Sequence, residues 1–387
     1  MNFIELAENI YEELVDIRRR LHQNPELAFQ EFDTSQLIQE KLLEYKVSHE
    51  VVAETGVVGI IGQGERCIAL RADIDALPIF EETDLPYAST NPGIMHACGH
   101  DMHVAMLLGA AKILKENEDQ LDGQIKLIFQ PSEEKLPGGA KVMIEQGVLK
   151  NPRPEAIFGQ HVFPEETTGT LAVSEGPVMA CADELYWTIK GKSCHAAQPH
   201  MGNDPILAAT NLINSLQTLI SRRKDPFDTG VLSITAINGG SATNIVPEEV
   251  KLMGTLRSFN IEWRKQTLEL IQKHTINICS AHGCRGFFEP SLGYPPLMNH
   301  GDTSEFVRRK ALDLLGFGNV QRFKTKMWAE DFAYYTEEIP GTFWFLGIKP
   351  EGQEEMPALH NSKIAPDEKA LIYGSAMMAK VGVEYFK

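Results

Sequence analysis

Cys67-Ile68-Ala69-Leu70-Arg71-Ala72-Asp73-Ile74-Asp75 is a nearly continuous apolar run that ends in two carboxylates. Such a run belongs to a strand buried on both faces, as in an α/β sheet covered by helices. Working outward, strands are expected over residues 57–61, 67–73, 124–129 and 156–160. Helices are expected over about 34–43, 104–115 and 139–146. Residues 4–21 carry Leu6, Ile10, Leu14 and Ile17 at helical spacing and read as one amphipathic helix ending before Pro25. Alternation of this kind predicts an α/β mixed sheet with helices on both faces.

The pattern changes at Glu184. Strand (185–190), helix (205–222), strand (231–238), strand (249–258), helix (261–281) and strand (284–289) give β-α-β-β-α-β, the ferredoxin-like order. After Pro295-Pro296 the first style resumes, with a helix near 304–315, a strand at 342–347 and a last helix at about 368–385. The expected domains are therefore 1–183 and 295–387 as two parts of one catalytic domain, with an α+β domain, 184–294, inserted between them.

Between the second strand and its helix lies His96-Ala97-Cys98-Gly99-His100-Asp101-Met102-His103. Three imidazoles, a thiol and a carboxylate in eight residues are donors for borderline divalent metals. The cluster falls where a loop enters a helix N-terminus, whose partial positive charge favours a thiolate. Asp73 and Asp75 end one strand, Glu133 and Glu134 follow another, and His161 follows a third. Open α/β sheets bind ligands outside the carboxyl ends of their strands, so these groups can converge. Gly138-Gly139 and Gly239-Gly240 mark turns rather than a phosphate loop, because no Lys-Ser/Thr follows them.

The 387 residues are 43% hydrophobic and 23% charged, ordinary for a globular protein and long enough for two domains. The net charge of −17 argues against nucleic-acid and anionic-membrane partners. The first residues carry Glu5 and no basic-then-apolar leader, and no uncharged apolar run is long enough to span a bilayer. The six cysteines form no Cys-x-x-Cys pair and read as reduced thiols, five of them filler and Cys98 the exception. A soluble cytoplasmic protein is expected.

Taken together, several motifs resemble one family: Arg71-Ala72-Asp73-Ile74-Asp75-Ala76-Leu77-Pro78, His96-Ala97-Cys98-Gly99-His100-Asp101, Gln130-Pro131-Ser132-Glu133-Glu134, Gly159-Gln160-His161, Ser193-Cys194-His195-Ala196-Ala197, Thr243-Asn244-Ile245-Val246-Pro247, Gly254-Thr255-Leu256-Arg257 and Leu359-His360. In order and type they are similar to the M20 metallopeptidases. Within these they are closest to the amidohydrolase branch of aminoacylases, hippurate hydrolases, auxin-conjugate hydrolases and N-acetyldiaminopimelate deacetylases.

The resemblance implies two divalent ions per subunit (Mn, Zn, Co or Ni), held by Cys98, His100, Glu134, His161 and His360, with Cys98 where most of the family has a bridging Asp. It implies that Asp73 supports the site and Glu133 is the catalytic carboxylate. His195, Asn244 and Arg257 would grip the substrate's carboxylate or the oxyanion, with Cys194 where many relatives have Ser. The substrate implied is an N-acyl amino acid or a related small amide, with a dipeptidase or aminopeptidase as the alternative. The inserted domain would be a lid that also pairs two subunits in a homodimer and carries His195 to the partner's site.

Adjacent glutamates can divide such work, since a group that moves protons cannot easily also bind metal. Tyr334-Tyr335 and Trp344 read as core.

Overall fold

The computed structural model describes all residues, 1–387, as two compact units: 1–178 with 298–325 and 331–387, and 179–297 with 326–330.

The first unit is built on an eight-stranded mixed sheet in the order Ser48–Val52, Gly56–Gly62, Gln124–Gln130, Cys67–Asp73, Ile157–Thr167, Gly341–Lys349, Leu171–Ala172, Val320–Gln321. Its centre is parallel: Cys67–Asp73 pairs in parallel with Gln124–Gln130 on one side and Ile157–Thr167 on the other, and Ile157–Thr167 pairs in parallel with Gly341–Lys349. Every residue of Cys67–Asp73 is buried, as its apolar run requires.

Period-two alternation divides the two faces. Ile68, Leu70 and Ala72 enter a core shared with Met102, Leu107 and Met377 of the helices His100–Glu116 and Ala370–Glu384. Arg71 lies on the opposite face, donating to Gln130 Oε1 (2.9 Å) and Asp331 Oδ1 (2.8 Å) and stacking over Phe332. Tyr335 and Trp344 are fully buried.

Three elements differ from the sequence expectation in ways that matter for the site. Residues 4–21 form two helices, Phe3–Glu8 and Tyr11–Gln23, because Phe3 and Ala7 pack toward the Ala370–Glu384 helix while the second segment packs on His100–Glu116. The helix after the cluster begins at His100, four residues earlier than its apolar pattern suggested, since Gly99 adopts φ +80 and forms the N-cap. A side chain at Gly99 would also place Cβ 2.5 Å from Val162 Cγ2, so only glycine fits there.

The third difference concerns His161, which does not follow a strand. It lies inside Ile157–Thr167, which runs on because Gly341–Lys349 continues to pair with it, Phe345 opposite His161. The Cys67–Asp73 strand accompanies it only as far as Gly159. Continued two residues, that register sets His161 level with Asp73 at the carboxyl end of the neighbouring strand, the end at which open α/β sheets bind ligands.

The second unit carries a four-stranded antiparallel sheet in the order Gly230–Asn238, Glu249–Ser258, Cys181–Lys190, Arg285–Ser291. With the helices Pro205–Thr218 and Ile261–Ala281 it has the ferredoxin-like arrangement. Leu185, Trp187 and Ile189 alternate with exposed residues and pack against Leu212, Leu216 and Ile271 of the helices. The other face of this sheet bears exposed Tyr186 and Met253, which are cross-strand partners.

Candidate metal centre

Among the groups of donor atoms that meet around the Cys98 cluster, two share Cys98. Cys98 Sγ, His100 and His161 form one set, Cys98 Sγ, Glu134 and His360 the other, and in each the donor atoms lie within 4.8 Å of one another. Cys98 belongs to both. His100, Glu133 and Glu134 satisfy the same criterion.

The hydrogen bonds behind these side chains set their tautomers. His100 Nδ1 donates to the Asp75 carbonyl (2.9 Å), and His161 Nδ1 donates to the Val162 carbonyl (2.8 Å). The Nε2 of His161 lies 3.4 Å from Cys98 Sγ, and the Nε2 of His100 is buried without a hydrogen-bond partner. Anchoring the far nitrogen in this way is how proteins orient imidazole ligands.

His103 cannot serve similarly. Its Nε2 accepts from the Val162 N–H (2.9 Å) and its Nδ1 donates to Asp73 Oδ1, so both nitrogens are occupied. His96, the third imidazole of the motif, is in neither set, and burial holds its pKa down to about 4.

Charge makes the same point. Burial first, then Glu134, Glu133 and Asp73, push the Cys98 thiol well above its ordinary range. The helix N-terminus that would favour a thiolate is opposed here by burial and by the neighbouring carboxylates. Burial opposes a charge on His100 as well, yet Asp73 and Asp75 raise its pKa to about 10, so the surrounding negative charge calls for positive charge at this point. His161 is driven neutral by burial, with His103 beside it. Imidazole, sulfur and carboxylate together suit a borderline divalent ion, and the orphaned His100 Nε2 needs a partner.

His360 is supplied by a loop. Its side chain is 51% exposed, its Nε2 lies 3.0 Å from Glu134 Oε1, and its φ is +63. Its backbone N–H donates to the Ala97 carbonyl (2.9 Å), which fixes the loop next to Cys98.

Asp73 sits behind the site rather than in it. It receives Arg71 Nη1 (2.8 Å) and His103, and lies 3.6 Å from His100 Nε2. Asp75, placed by the sequence among the converging groups but given no role, is the carboxylate that organises the turn. Its Oδ1 accepts from the Glu133 N–H (2.9 Å) and its Oδ2 from the Glu134 N–H (3.0 Å), while its carbonyl orients His100. The Asp-Ile-Asp pair at a strand end was the available signal. Asp331, noted in sequence only as preceding Tyr334-Tyr335, is fully buried and receives Arg71, Gln130 and the Ala140 N–H.

The other three expected residues lie in the second unit, and not together. His195 and Asn244 are neighbours: His195 pairs with Ile245, and the Ala196 N–H donates to the Asn244 carbonyl (2.9 Å). His195 is exposed, and its Nδ1 accepts from the Ala197 N–H (3.1 Å), which leaves Nε2–H as a donor. Arg257 is near the opposite end of the Glu249–Ser258 strand, with Nη1 donating to the Met327 carbonyl (3.3 Å). Eight residues of strand from Glu249 to Arg257 are about 26 Å at 3.3 Å each.

Comparison with known proteins agrees with this architecture. The pattern of the peptidase family M20/M25/M40 matches residues 69–382. The chain belongs to this family. It is 40% identical over 393 residues to the IAA-amino acid hydrolase ILR1-like 4 of Arabidopsis thaliana (99% of this chain, 88% of the relative). It is 43% identical over 368 residues to the N-acetyl-L-cysteine deacetylase of Bacillus subtilis (94% and 86%). The crystal structure of the Bacillus subtilis YxeP protein, described as a dinuclear metal binding peptidase of the M20 family, superposes with a TM-score of 0.84 at 35% identity, covering 97% of this chain and 98% of that one. This M20 protein is thus a metal-dependent amidohydrolase. No helix in it is long and apolar enough to cross a membrane.

Proposed function

We propose that this M20 enzyme removes the acyl group from an N-acylated amino acid with two divalent ions, which Cys98, His100, Glu134, His161 and His360 would hold. The observation that carries the reading is the sharing of Cys98 by two donor sets, with Glu133 beside Glu134 and His100. His100 and His161 would hold one ion and Glu134 and His360 the other. Thiolate and imidazole favour Mn²⁺, Co²⁺, Ni²⁺ or Zn²⁺ over Mg²⁺.

Two such ions would lower the pKa of a water from 15.7 towards about 7 and polarise the amide carbonyl. Glu133, which is buried, would take a proton from the attacking water and pass it to the leaving nitrogen. Asp75 holds the backbone that carries Glu133 and Glu134, so that one carboxylate would bind while the other moves protons. Asp73, braced by Arg71, keeps His103 and His100 in place.

His195 offers its Nε2–H as an oxyanion donor, with Asn244 beside it, and Arg257 is suited to the substrate's carboxylate. Arg257 lies near the far end of the Glu249–Ser258 strand, about 26 Å along it from Glu249, whereas His195 and Asn244 lie at the short strand pair that precedes Glu249. That separation supports a homodimer in which residues 184–294 pair the subunits and His195 serves the partner's site. The six cysteines are all unpaired, which supports a reducing, cytoplasmic setting.

The names of the two relatives above, an amino acid conjugate hydrolase and an N-acetyl deacetylase, support acyl conjugates as substrates. The test is a panel of N-acetyl, N-benzoyl and indole-acetyl amino acids beside dipeptides with a free amino terminus. Hydrolysis of the acylated set is expected, and turnover confined to substrates with a free amine would replace this reading with the dipeptidase one.

A further inference from the structure

Glu31 is the N-cap residue of the Phe32–Glu44 helix, where a side-chain oxygen ordinarily accepts a helix N–H, yet it makes no such bond. Glu26 does that work instead, accepting from the Asp33 N–H (3.1 Å) and the Thr34 N–H (2.8 Å). The Glu31 carboxylate is fully buried and turned the other way. Its Oε1 accepts from the Ser132 N–H (2.9 Å) and its Oε2 from the Thr55 hydroxyl (2.7 Å). Burial raises its pKa to about 7, with Asp75 adding to the effect, so the placement has a real cost.

The segment it reaches is the one that matters most. Ser132 has φ +49, in the left-handed region that non-glycine residues avoid. It is the first of three consecutive residues whose N–H groups are each received by a buried carboxylate: Ser132 by Glu31, Glu133 and Glu134 by Asp75. The Ser132 carbonyl in turn accepts from the Gly139 N–H (2.9 Å), and a Cβ at Gly139 would fall 1.7 Å from the Pro131 carbonyl oxygen. Strained backbone persists where its surroundings over-determine it.

We propose that Glu31 is a positioning residue for Glu133: from outside the site, oriented by Thr55, it holds Ser132 in the left-handed conformation that aims the Glu133 carboxylate. The inference rests on Glu133 being the proton carrier.

The test compares Glu31→Ala, Glu31→Gln and Thr55→Val with the parent enzyme for kcat, KM, bound metal and thermal midpoint, with Glu133→Gln as the control for the underlying reading. A misplacement near 1 Å can cost about 10²-fold in rate, so Glu31→Ala should lose about 10–10²-fold in kcat while keeping its metal and a nearly unchanged KM. Glu31→Gln should recover most of it, because its amide oxygen can still accept from Ser132 and its NH₂ can donate to Thr55. Thr55→Val should fall between.

A folded Glu31→Ala enzyme with the parent kcat overturns the proposal, as does a Gln variant no better than the Ala variant. If Glu31→Ala fails to fold, Thr55→Val with unaltered kcat overturns it. Should Glu133→Gln itself retain full kcat, the reading of Glu133 fails, whatever Glu31 does.

Discussion

Replacing Asp75 by Asn changes one buried atom pair and should be felt throughout the site. The two Asp75 oxygens accept from the Glu133 N–H at 2.9 Å and the Glu134 N–H at 3.0 Å, and Asp75 is 1% exposed. An Asn has one oxygen and one NH₂, so one backbone N–H must face a donor. A hydrogen bond to a charged group is worth about 1.5–3 kcal/mol, and an orphaned buried N–H adds about 1–3 kcal/mol. The two effects overlap, so a net loss of about 2–4 kcal/mol is expected, or about 4–8 °C in thermal midpoint at roughly 2 °C per kcal/mol for a large domain. The turn should then relax, shifting Glu133 and Glu134 together.

Unlike the Glu31 variants, Asp75→Asn should therefore lower both metal content and kcat, kcat by about 10² or more. Thermal unfolding, metal analysis of the dialysed protein and steady-state kinetics on one N-acetyl amino acid measure all three. A variant matching its parent in metal content and kcat would refute the role given to Asp75.

Other outcomes follow from the same geometry. Mixing Glu133→Gln with His195→Ala under subunit exchange should restore activity well above either alone, because one site of the mixed dimer is complete; a stable monomer by sedimentation, or an inert mixture after proven exchange, would count against action in trans. Exhaustive chelation should abolish hydrolysis, with Mn²⁺, Co²⁺ or Zn²⁺ restoring it and Mg²⁺ not, and full activity of demetallated protein would sink the mechanism.

Glu13 opposes its own burial by accepting from Lys112, Tyr45 and Lys41, and its pKa falls from 4.5 to about 2. Because the folded value is the lower one, its stabilisation is present above pH 4.5 and disappears as the pH drops toward 2. Glu13→Gln should be about 1–2 kcal/mol less stable than the parent near pH 7, after discounting for solvent screening, with the gap closing in acid. Parallel stability curves for the two would contradict it.

The fold was legible where burial is total or strictly alternating. Cys67–Asp73, Glu249–Ser258 and Ile261–Ala281 were bounded to the residue, because apolar strands and a capped amphipathic helix announce themselves locally. The short outer strands Ser48–Val52, Leu171–Ala172 and Val320–Gln321 were not, since they exist only through their neighbours' hydrogen bonds. The true start of the His100 helix was hidden because Gly99 is both cap and close-packing point, and nothing apolar marks it.

At the site, residue type suggested donors, but which nitrogen of which histidine is free depends on partners far along the chain. His103 is spent on Val162 and Asp73, and His100 is released by the Asp75 carbonyl. Supporting carboxylates such as Asp75, Asp331 and Glu31 act through backbone N–H groups and an arginine, contacts with no sequence period to reveal them. That His195 and Asn244 stand at the far end of a strand from Arg257 is likewise a matter of register, invisible in the motifs themselves.

The central claim is that Cys98 is shared by two ions. Crystals of the protein loaded with Mn²⁺ or Zn²⁺, measured on both sides of the metal's absorption edge, test it most directly. The account predicts two anomalous peaks about 3.5–4 Å apart, with Cys98 Sγ contacting both. His100 and His161 should lie on one ion, Glu134 and His360 on the other. A single peak, or two peaks with the sulfur bound to neither or only one, would contradict it.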